Sequence, residues 1–488
     1  MSLADTLKNL SDDHFGRWKN REALAETMIP MIGRLYRERN VVVVIYGRSL
    51  VNRSVIQILK HHRRVRMIAG DLSAVDTYPL LQGLLELDLG PCRVDLGKLA
   101  IMYRQEKEDL TPVAFLRREL ADVLGKAKSA KPQDVVLYGF GRIGRILARL
   151  IIEKAGGGEG LRLRAVVVRK TTEGDLQKRA SLLRRDSIHG PFEGTIAIDE
   201  EQNAIIANGN YIKIIYASNP EDVDYTEYGI HDAILIDNTG KLKDRPGLSR
   251  HLRPGIARVM LTAPAKGDVK NIVSGVNDHE VTADEQIISA ASCTTNAITP
   301  VLKVMNDRFG LIAGHVETVH SYTNDQNLID NYHKSDRRGR SAVLNMVITE
   351  TGAAKAVAKA LPELAGKLTG NSIRVPTPDV SMAILNLTLP QAVSRDEVNE
   401  FMRQVALSSR YQRQIDYTNS TEVASTDFVG SRAAGVFDAQ ATIVNGQHVT
   451  LYIWYDNEMG YSAQVVRIVE RWAGIDYPTF PPEIGDIV

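Results

Sequence analysis

The sequence predicts a protein of three parts: a mainly helical N-terminal region, an α/β domain on a doubly wound sheet, and an α+β domain on a mostly antiparallel sheet. Apolar residues recur at three- and four-residue intervals up to about residue 130, which is typical of helices. A strand, a glycine-rich turn and an amphipathic helix begin at Asp134, and alternating apolar segments follow from about residue 315. We expect boundaries at 1–130, 133–292 and 293–456, with a C-terminal helix over 457–474 completing the second domain.

The overall composition excludes several classes of protein. Hydrophobic residues make up 44% and charged residues 24%, and 60 basic side chains face 59 acidic ones, so nothing favours nucleic acid as a partner. No stretch approaches the roughly 20 apolar residues of a membrane span, and the first residues lack the apolar core of a signal peptide. We therefore expect a cytoplasmic protein with no membrane partner and no metal.

The N-terminal region carries four segments with helical periodicity, at residues 23–38, 54–65, 78–90 and 112–127. The segment "NVVVVIYGRS" is ambiguous, because its valines favour a strand while the neighbouring helical pattern can extend through them. Two basic clusters, "RLYRERN" and "KHHRRVRM", fit either an anionic partner or a solvated helix face. The polar run over 125–134 predicts a linker.

The glycine turn of the second part has the pattern of a dinucleotide site. Gly139, Gly141 and Gly144 form G-x-G-x-x-G between a strand and a helix, as in a Rossmann domain that binds NAD or NADP. The second strand of such a unit usually ends in an acid that binds the ribose, but here it ends in Arg169 and Lys170. Two cations suit a 2′-phosphate and predict NADP use, although a solvated strand end is the alternative.

One of the two cysteines has the surroundings of a nucleophile. Cys293 in "ASCTTNAIT" precedes a predicted helix, whose free N–H groups favour a thiolate. His320 in "ETVHSYTNDQ" is the candidate base. The alternative is a buried structural thiol, and Cys92 fits that description.

The motifs "YGFGRIGR", "TAPAKGD", "ASCTTN", "HSYTNDQ", "TGAAKAV", "RVPTPDVS" and "WYDNEMGYS" occur in an order that resembles the glyceraldehyde-3-phosphate dehydrogenase family. The resemblance covers residues 133 to about 474 and leaves the first 130 residues outside it. It implies that Cys293 attacks the substrate aldehyde, that His320 takes the proton, and that a hydride passes to the nicotinamide. Inorganic phosphate then attacks the thioester on Cys293 to release 1,3-bisphosphoglycerate. The family also implies a homotetramer.

The resemblance further assigns the binding residues by position in the motifs. The substrate phosphate would be flanked by Thr323, Asp325 and Arg374. Inorganic phosphate would be surrounded by Ser292, Thr294, Thr351 and Gly352. The dinucleotide would be held by the glycine turn with Arg142 and Ile143, by Thr239, by Asn457 at the carboxamide and by Tyr461 behind the ring.

Three positions depart from the family pattern. Ala297 replaces a second cysteine that the mechanism does not need. Arg169 and Lys170 replace the usual Asn-Asp at the ribose, and Asn331 and Tyr332 replace the Leu-Pro that reaches a neighbouring subunit's adenosine. The last two departures both favour NADP.

Two other functions remain open on the sequence. One is oxidation of erythrose 4-phosphate by the same cysteine, with water in place of phosphate. The other is a catalytic core regulated by the N-terminal region, in which neither a nucleotide motif nor a catalytic constellation occurs.

Overall fold

The computed structural model describes residues 14–126, 131–156, 160–282 and 284–482. The backbone in these ranges forms three β-sheets, of four, nine and eight strands. Residues 127–130, in the middle of the predicted linker, lie outside the described ranges.

The N-terminal region contains five helices and three short strands. In chain order they are α1 (His14–Arg39), β1 (Val41–Ile45), β2 (Arg48–Ser49), α2 (Val55–Ala69), α3 (Ala74–Glu86), β3 (Cys92–Asp95), α4 (Leu96–Glu106) and α5 (Pro112–Glu119). The prediction of a mainly helical region is confirmed. The ambiguous valine run forms β1, because Asn40 adopts a left-handed φ of 53° that ends α1 directly before it.

The second part is an α/β layer structure around a nine-stranded sheet. Its elements are β4 (Gln133–Tyr138), α6 (Arg142–Glu153), β5 (Leu161–Val168), α7 (Asp175–Arg184), β6 (Ile196–Asp199), β7 (Ala204–Ala207), β8 (Asn210–Tyr216), β9 (Ala233–Asp237), α8 (Arg245–Ser249), β10 (Ile256–Leu261), β11 (Lys270–Asn271) and β12 (Ile287–Ser289). The strand order is β11-β12-β10-β9-β4-β5-β8-β7-β6. All strands from β11 to β8 pair in parallel, which confirms the Rossmann-type sheet.

The third part is an α+β structure on the eight-stranded sheet. Its elements are α9 (Cys293–Phe309), β13 (Ala313–Ser321), β14 (Val347–Thr349), α10 (Ala353–Ala360), β15 (Leu368–Val375), β16 (Ser381–Thr388), α11 (Arg395–Ser408), β17 (Ile415–Thr418), β18 (Gly435–Asp438), β19 (Ile443–Asn445) and β20 (His448–Tyr455). The main path is β14-β15-β13-β16-β20-β18-β17, and β19 pairs with β20. Only β13 with β15 and β17 with β18 are parallel, so the predicted mostly antiparallel sheet is confirmed.

The end of the chain returns to the first two parts. Helix α12 (Met459–Trp472) buries Val465, Val466 and Val469 in the core of the nine-stranded sheet. Strand β21 (Thr479–Phe480) then pairs with β3, so the N-terminal sheet has the order β2-β1-β3-β21. Phe480 is buried in the N-terminal core. The extension and the catalytic part are thus packed as one body.

Candidate active site

Cys293 lies at the first position of α9, between the two large sheets. The turn before it is tight, because Ala291 has a left-handed φ of 55°. Ser292 caps the helix, and the Thr295 N–H donates to its Oγ at 3.1 Å. The thiol is half-buried, whereas Cys92 is fully buried in the N-terminal core. Cys293 therefore lies at a helix N-terminus and is less buried than Cys92.

His320, near the end of β13, faces the thiol. Its Nε2 lies 3.5 Å from the Sγ of Cys293. Its Nδ1 lies 2.7 Å from the carbonyl oxygen of Ser321, which can only accept, and 3.0 Å from Nη1 of Arg374, which can only donate, so the two contacts favour opposite tautomers. In the tautomer that the shorter contact favours, with the proton on Nδ1, the lone pair of Nε2 faces the thiol, which is the arrangement that a base for Cys293 requires.

Burial sets the protonation of this pair. Burial and the charge of Arg374 lower the pKa of His320 to about 3, so the ring is neutral near pH 7. Burial also raises the pKa of the Cys293 thiol. The charge of Arg374 and the hydrogen bonds of Thr294 lower this pKa, but they offset the effect of burial only in part. The helix N-terminus thus does not by itself give the thiolate that the sequence suggested, and the neutral imidazole must take the proton.

Arg374 stands beside His320, because β13 and β15 are parallel and these two residues are register partners. Its Nη1 donates to the carbonyl oxygen of Ser321 at 3.0 Å and to Thr323 Oγ1 at 3.5 Å. Its Nε is buried without a partner among the described residues. The Arg374 guanidinium and the Thr323 hydroxyl thus lie close together, and the unpaired donor suits an anion.

Asp325 lies beside Thr323 but is already paired with protein groups. The Thr323 hydroxyl donates to it, and Arg338 contacts it at 2.5 Å. Although burial favours the neutral acid, these two partners hold its pKa below the usual range. Arg338 was not among the predicted site residues, and only the basic run "DRRGR" in the sequence hints at it.

Asn457 and Tyr461 lie on the other side of the thiol, at the start of α12. The Oδ1 of Asn457 accepts from Ser321 Oγ at 2.8 Å and from Ser381 Oγ at 2.9 Å, which leaves its NH₂ as the free donor. The Tyr461 hydroxyl donates to the carbonyl oxygen of Ala291, just before the cysteine. The two serine hydroxyls therefore fix the orientation of the Asn457 amide.

The hydroxyls predicted for inorganic phosphate have protein partners. Ser292 serves as the helix cap, and the Thr294 hydroxyl is 3.0 Å from that of Tyr455. Thr351 Oγ1 accepts from the Ala353 N–H at 3.2 Å, and Gly352 is the N-terminal residue before α10. These residues therefore offer two helix N-termini, and the hydroxyls are already engaged.

A pocket of about 490 Å³ lies at the carboxyl ends of β4 and β5. Gly139, with a φ of +98°, Gly141 and Thr239 line it. A Cβ on Gly144 would lie 2.6 Å from the Gly139 carbonyl oxygen, whereas one on Gly141 would meet nothing within 4 Å. Gly144 therefore allows close helix packing and Gly141 leaves space for a ligand, so the turn fits a dinucleotide.

Arg142 and Ile143 are not among the residues that line this pocket. The Arg142 guanidinium forms ion pairs with Asp186 at 2.9 Å and with Glu458. Its side chain therefore ties α6 to the start of α12, and only its backbone is left at the helix N-terminus.

The adenosine end of the pocket is basic. Arg169 lines it, together with three basic side chains that the sequence did not single out, Arg179, Lys241 and Arg250. Lys170 is exposed and does not line the pocket. Its ammonium instead lies over the Tyr216 ring, 5.6 Å from the ring centroid. Of the two predicted cations, the structure therefore brings only Arg169 to the pocket.

Within the described ranges, His189, Asp379 and Asp456 bring three possible metal ligands together. His189 Nε2 lies 2.9 Å from Asp456 and 3.3 Å from Asp379. Burial favours the neutral ring, but the two carboxylates outweigh it and raise the pKa of His189 to about 10. The group is thus an ion-paired cluster next to Arg142, and no motif in the sequence predicts it.

The doubly wound sheet and its glycine turn define a dinucleotide-binding protein. The family model for the glyceraldehyde 3-phosphate dehydrogenase NAD binding domain matches residues 133–245, and that for the C-terminal domain matches residues 292–457. The chain therefore belongs to the glyceraldehyde-3-phosphate dehydrogenase family and is an oxidoreductase of that type.

Individual relatives extend this comparison. A glyceraldehyde-3-phosphate dehydrogenase-like protein of Pseudomonas aeruginosa is 62% identical over 460 residues, which cover 93% of this chain and 100% of the relative. Because that alignment covers 93% of this chain, it must extend into the N-terminal region. Glyceraldehyde-3-phosphate dehydrogenase 2 of Nostoc is 40% identical over 69% of this chain and 97% of its own length. The chloroplastic A form of maize is 36% identical over 83% of this chain and 98% of its own length.

None of the helices in the described ranges is long and apolar enough to cross a membrane.

Proposed function

We propose that the chain catalyses the phosphorylating, NAD(P)-dependent oxidation of D-glyceraldehyde 3-phosphate and its reverse. The observation that carries this proposal is the 3.5 Å contact between Cys293 Sγ and Nε2 of His320, with Arg374 beside them. A thiol beside a base attacks an aldehyde, and a guanidinium with an unpaired Nε binds the phosphate group of the same substrate.

The first half of the reaction uses the thiol and imidazole in turn. The Cys293 sulfur bonds to the aldehyde carbon while Nε2 of His320 takes the thiol proton and returns it to the carbonyl oxygen, which gives a hemithioacetal. The bound dinucleotide supplies the acceptor for the hydride that leaves this carbon. His320 removes the hydroxyl proton at the same time, and a thioester remains on Cys293.

The second half releases the acyl group. A phosphate oxygen attacks the thioester carbon, the sulfur–carbon bond breaks, and Cys293 regains its proton from His320. The N-termini of α9 and α10, with Ser292, Thr294, Thr351 and Gly352, offer N–H donors for the attacking anion. Helix N-termini favour an anion, which supports phosphate rather than water as the acyl acceptor.

For the dinucleotide, we infer that the enzyme uses NADP at least as well as NAD. Four cations line this pocket, namely Arg169, Arg179, Lys241 and Arg250. Arg179 is paired with Asp175 and Arg250 with Glu221, so Arg169 and Lys241 are the cations that would chiefly attract the nearly two negative charges of a 2′-phosphate. Gly139, Gly141 and Thr239 would hold the pyrophosphate, while Asn457 and Tyr461 would hold the nicotinamide end.

We infer that the enzyme is a homotetramer. The segment 328–348 exposes a group of large apolar side chains, which is unusual for a free surface. These are Leu328, Ile329, Tyr332, Leu344 and Met346, each at least 70% exposed. Burial of this segment against neighbouring subunits would remove it from water, and light scattering would measure the subunit number.

Turnover with and without inorganic phosphate, on glyceraldehyde 3-phosphate and on erythrose 4-phosphate, tests the proposed function. We expect glyceraldehyde 3-phosphate to be the better substrate and its oxidation to depend on phosphate. Faster oxidation of erythrose 4-phosphate, independent of phosphate, would establish the alternative dehydrogenase instead.

A further inference from the structure

A buried histidine that the proposed mechanism does not use lies next to the dinucleotide pocket. His251 follows α8 by two residues, and its side chain is fully buried. It does not line the pocket, although its neighbour Arg250 does. Because a polar ring is costly to bury unless its polar atoms are paired, the contacts of His251 indicate what it does there.

The imidazole of His251 contacts the carboxylate of Asp237. Its Nε2 lies 3.1 Å from Oδ2 of Asp237, whose side chain is also fully buried. An ionised carboxylate can only accept, so Nε2 carries the proton of this contact. The Nδ1 of His251 has no hydrogen-bond partner among the described residues. The bond to Asp237 is therefore the polar contact that orients the ring.

Asp237 in turn fixes a residue of the pocket. Its Oδ1 accepts from the N–H and from the hydroxyl of Thr239, both at 2.7 Å. A side-chain bond to the backbone two residues on forms an Asx turn, which sets the path of the chain after β9. The Thr239 Oγ1 also accepts from the Lys241 N–H at 3.3 Å. Since Thr239 and Lys241 both line the pocket, the buried carboxylate shapes a turn that presents two lining residues.

This turn packs directly on the glycine turn. A Cβ on Gly139 would lie 3.1 Å from Cγ2 of Thr239. The Asn238 N–H donates to the carbonyl oxygen of Tyr138 at 2.8 Å. A shift of Thr239 would therefore change the space that the glycine turn leaves for a pyrophosphate.

The place of these residues in the sheet also favours a role in binding. Asp237 ends β9 and Tyr138 ends β4, and the two are register partners. The chain runs from β4 to β5 on one side of β4 and later returns to β9 on the other side. An open α/β sheet binds its ligand at the carboxyl ends of strands where the order reverses in this way. The ring of His251 packs against that of Tyr138 with centroids 4.6 Å apart, so it contacts both strand ends.

We propose that His251 and Asp237 are positioning residues for the dinucleotide. His251 orients the carboxylate of Asp237, and this carboxylate holds Thr239 against the glycine turn. Neither residue lines the pocket, so both act through Thr239. The inference rests on the proposed dinucleotide site, and it concerns the binding of the dinucleotide rather than the chemistry at Cys293.

Isothermal calorimetry with NAD and with ADP-ribose on the full chain tests the proposal without turnover. ADP-ribose has the adenosine and the pyrophosphate but no nicotinamide, so it reports on this pocket. His251→Leu should raise both dissociation constants about threefold to tenfold, as expected for the loss of one hydrogen bond. His251→Gln should restore much of the affinity, because the new amide can still donate to Asp237. KM for glyceraldehyde 3-phosphate should stay unchanged in both variants.

His231→Leu is the matched control, since His231 is exposed and lies before the other end of β9. If His251→Leu does not fold, His251→Asn takes its place, because the shorter amide does not reach Asp237. Weaker binding that His251→Gln restores and the control does not show would support the proposal.

A lower thermal midpoint with unchanged dissociation constants would overturn it, because His251 would then only stabilise the fold. Equal losses of affinity in His251→Leu and His251→Gln, or a wild-type chain that binds neither ligand, would also overturn it. A wild-type chain that binds both ligands but does not oxidise glyceraldehyde 3-phosphate would contradict the proposed function and leave the positioning role standing.

Discussion

The Sγ of Cys293 and the Nε2 of His320 lie 3.5 Å apart because the N-terminus of α9 meets the end of β13. The strand carries His320 with its Nδ1 2.7 Å from the next carbonyl oxygen, and the helix carries the thiol on its first turn. The first two predictions follow from this contact.

Cys293→Ser should abolish aldehyde oxidation, because a serine hydroxyl is not ionised by a neutral imidazole as a thiol is. Dinucleotide binding should persist, since Cys293 does not line the adenosine pocket. Steady-state rates and a fluorescence titration with NAD measure the two effects. Near-normal turnover in this variant would remove Cys293 from the mechanism.

His320→Asn should slow acylation by about 10² to 10⁴, the usual contribution of a positioned base. It should also slow alkylation of Cys293 by iodoacetamide at neutral pH, because the thiol loses its proton acceptor. His315→Asn is a matched control on the same strand, where the ring contacts Thr369 and Asn371 instead. Equal alkylation rates in the wild type and in His320→Asn would mean that another group activates the thiol.

Arg374→Leu should raise KM for glyceraldehyde 3-phosphate far more than KM for unphosphorylated glyceraldehyde, because its role is to bind phosphate. The loss of a charged hydrogen bond should raise KM for the phosphorylated substrate about tenfold to a hundredfold. Arg340→Leu, an exposed residue that faces Asp330, is the control. Equal changes on both substrates would contradict a phosphate-binding role for Arg374.

Cofactor preference should follow Arg169 rather than Lys170. Arg169→Asp should shift the ratio of kcat/KM toward NAD by several-fold to a few tens-fold, about 0.5–2 kcal/mol for a partly exposed charge. Lys170→Asp should shift it less, since Lys170 lies over Tyr216 and outside the pocket. Rising ionic strength should weaken NADP binding more than NAD binding. An enzyme that is strongly NAD-specific and indifferent to Arg169→Asp would refute a 2′-phosphate site.

Acid should destabilise the N-terminal region through His62. Burial lowers the pKa of His62 to about 4, so between pH 6.5 and 4 the unfolded chain binds a proton that the folded chain does not. Stability is therefore lost as the pH falls, by about 2 kcal/mol between pH 7 and 5 for a shift of this size.

Urea unfolding at pH 7 and 5 measures this effect. His62→Gln should narrow the difference between the two midpoints, whereas the exposed His279→Gln should leave it unchanged. An undiminished difference in His62→Gln would show that other groups cause the acid sensitivity.

The sequence by itself determined the fold class and the family. Apolar periodicity, the glycine turn and the cysteine segment are local signals, and each is written in consecutive residues. The strands β4, β5, β9 and β10 and the helix at Cys293 could therefore be read directly. The catalytic roles of Cys293 and His320 stay predictions, although the structure places their side chains in contact.

Only the tertiary structure decided which charges share a site. Arg169 enters the dinucleotide pocket and Lys170 does not, because successive residues of an extended segment point to opposite sides. The pairing of β21 with β3 joins residues more than three hundred positions apart. Such contacts leave no periodic trace in the sequence, since they depend on how separate elements pack. The connection between the N-terminal region and the end of the chain therefore became visible only in the folded chain.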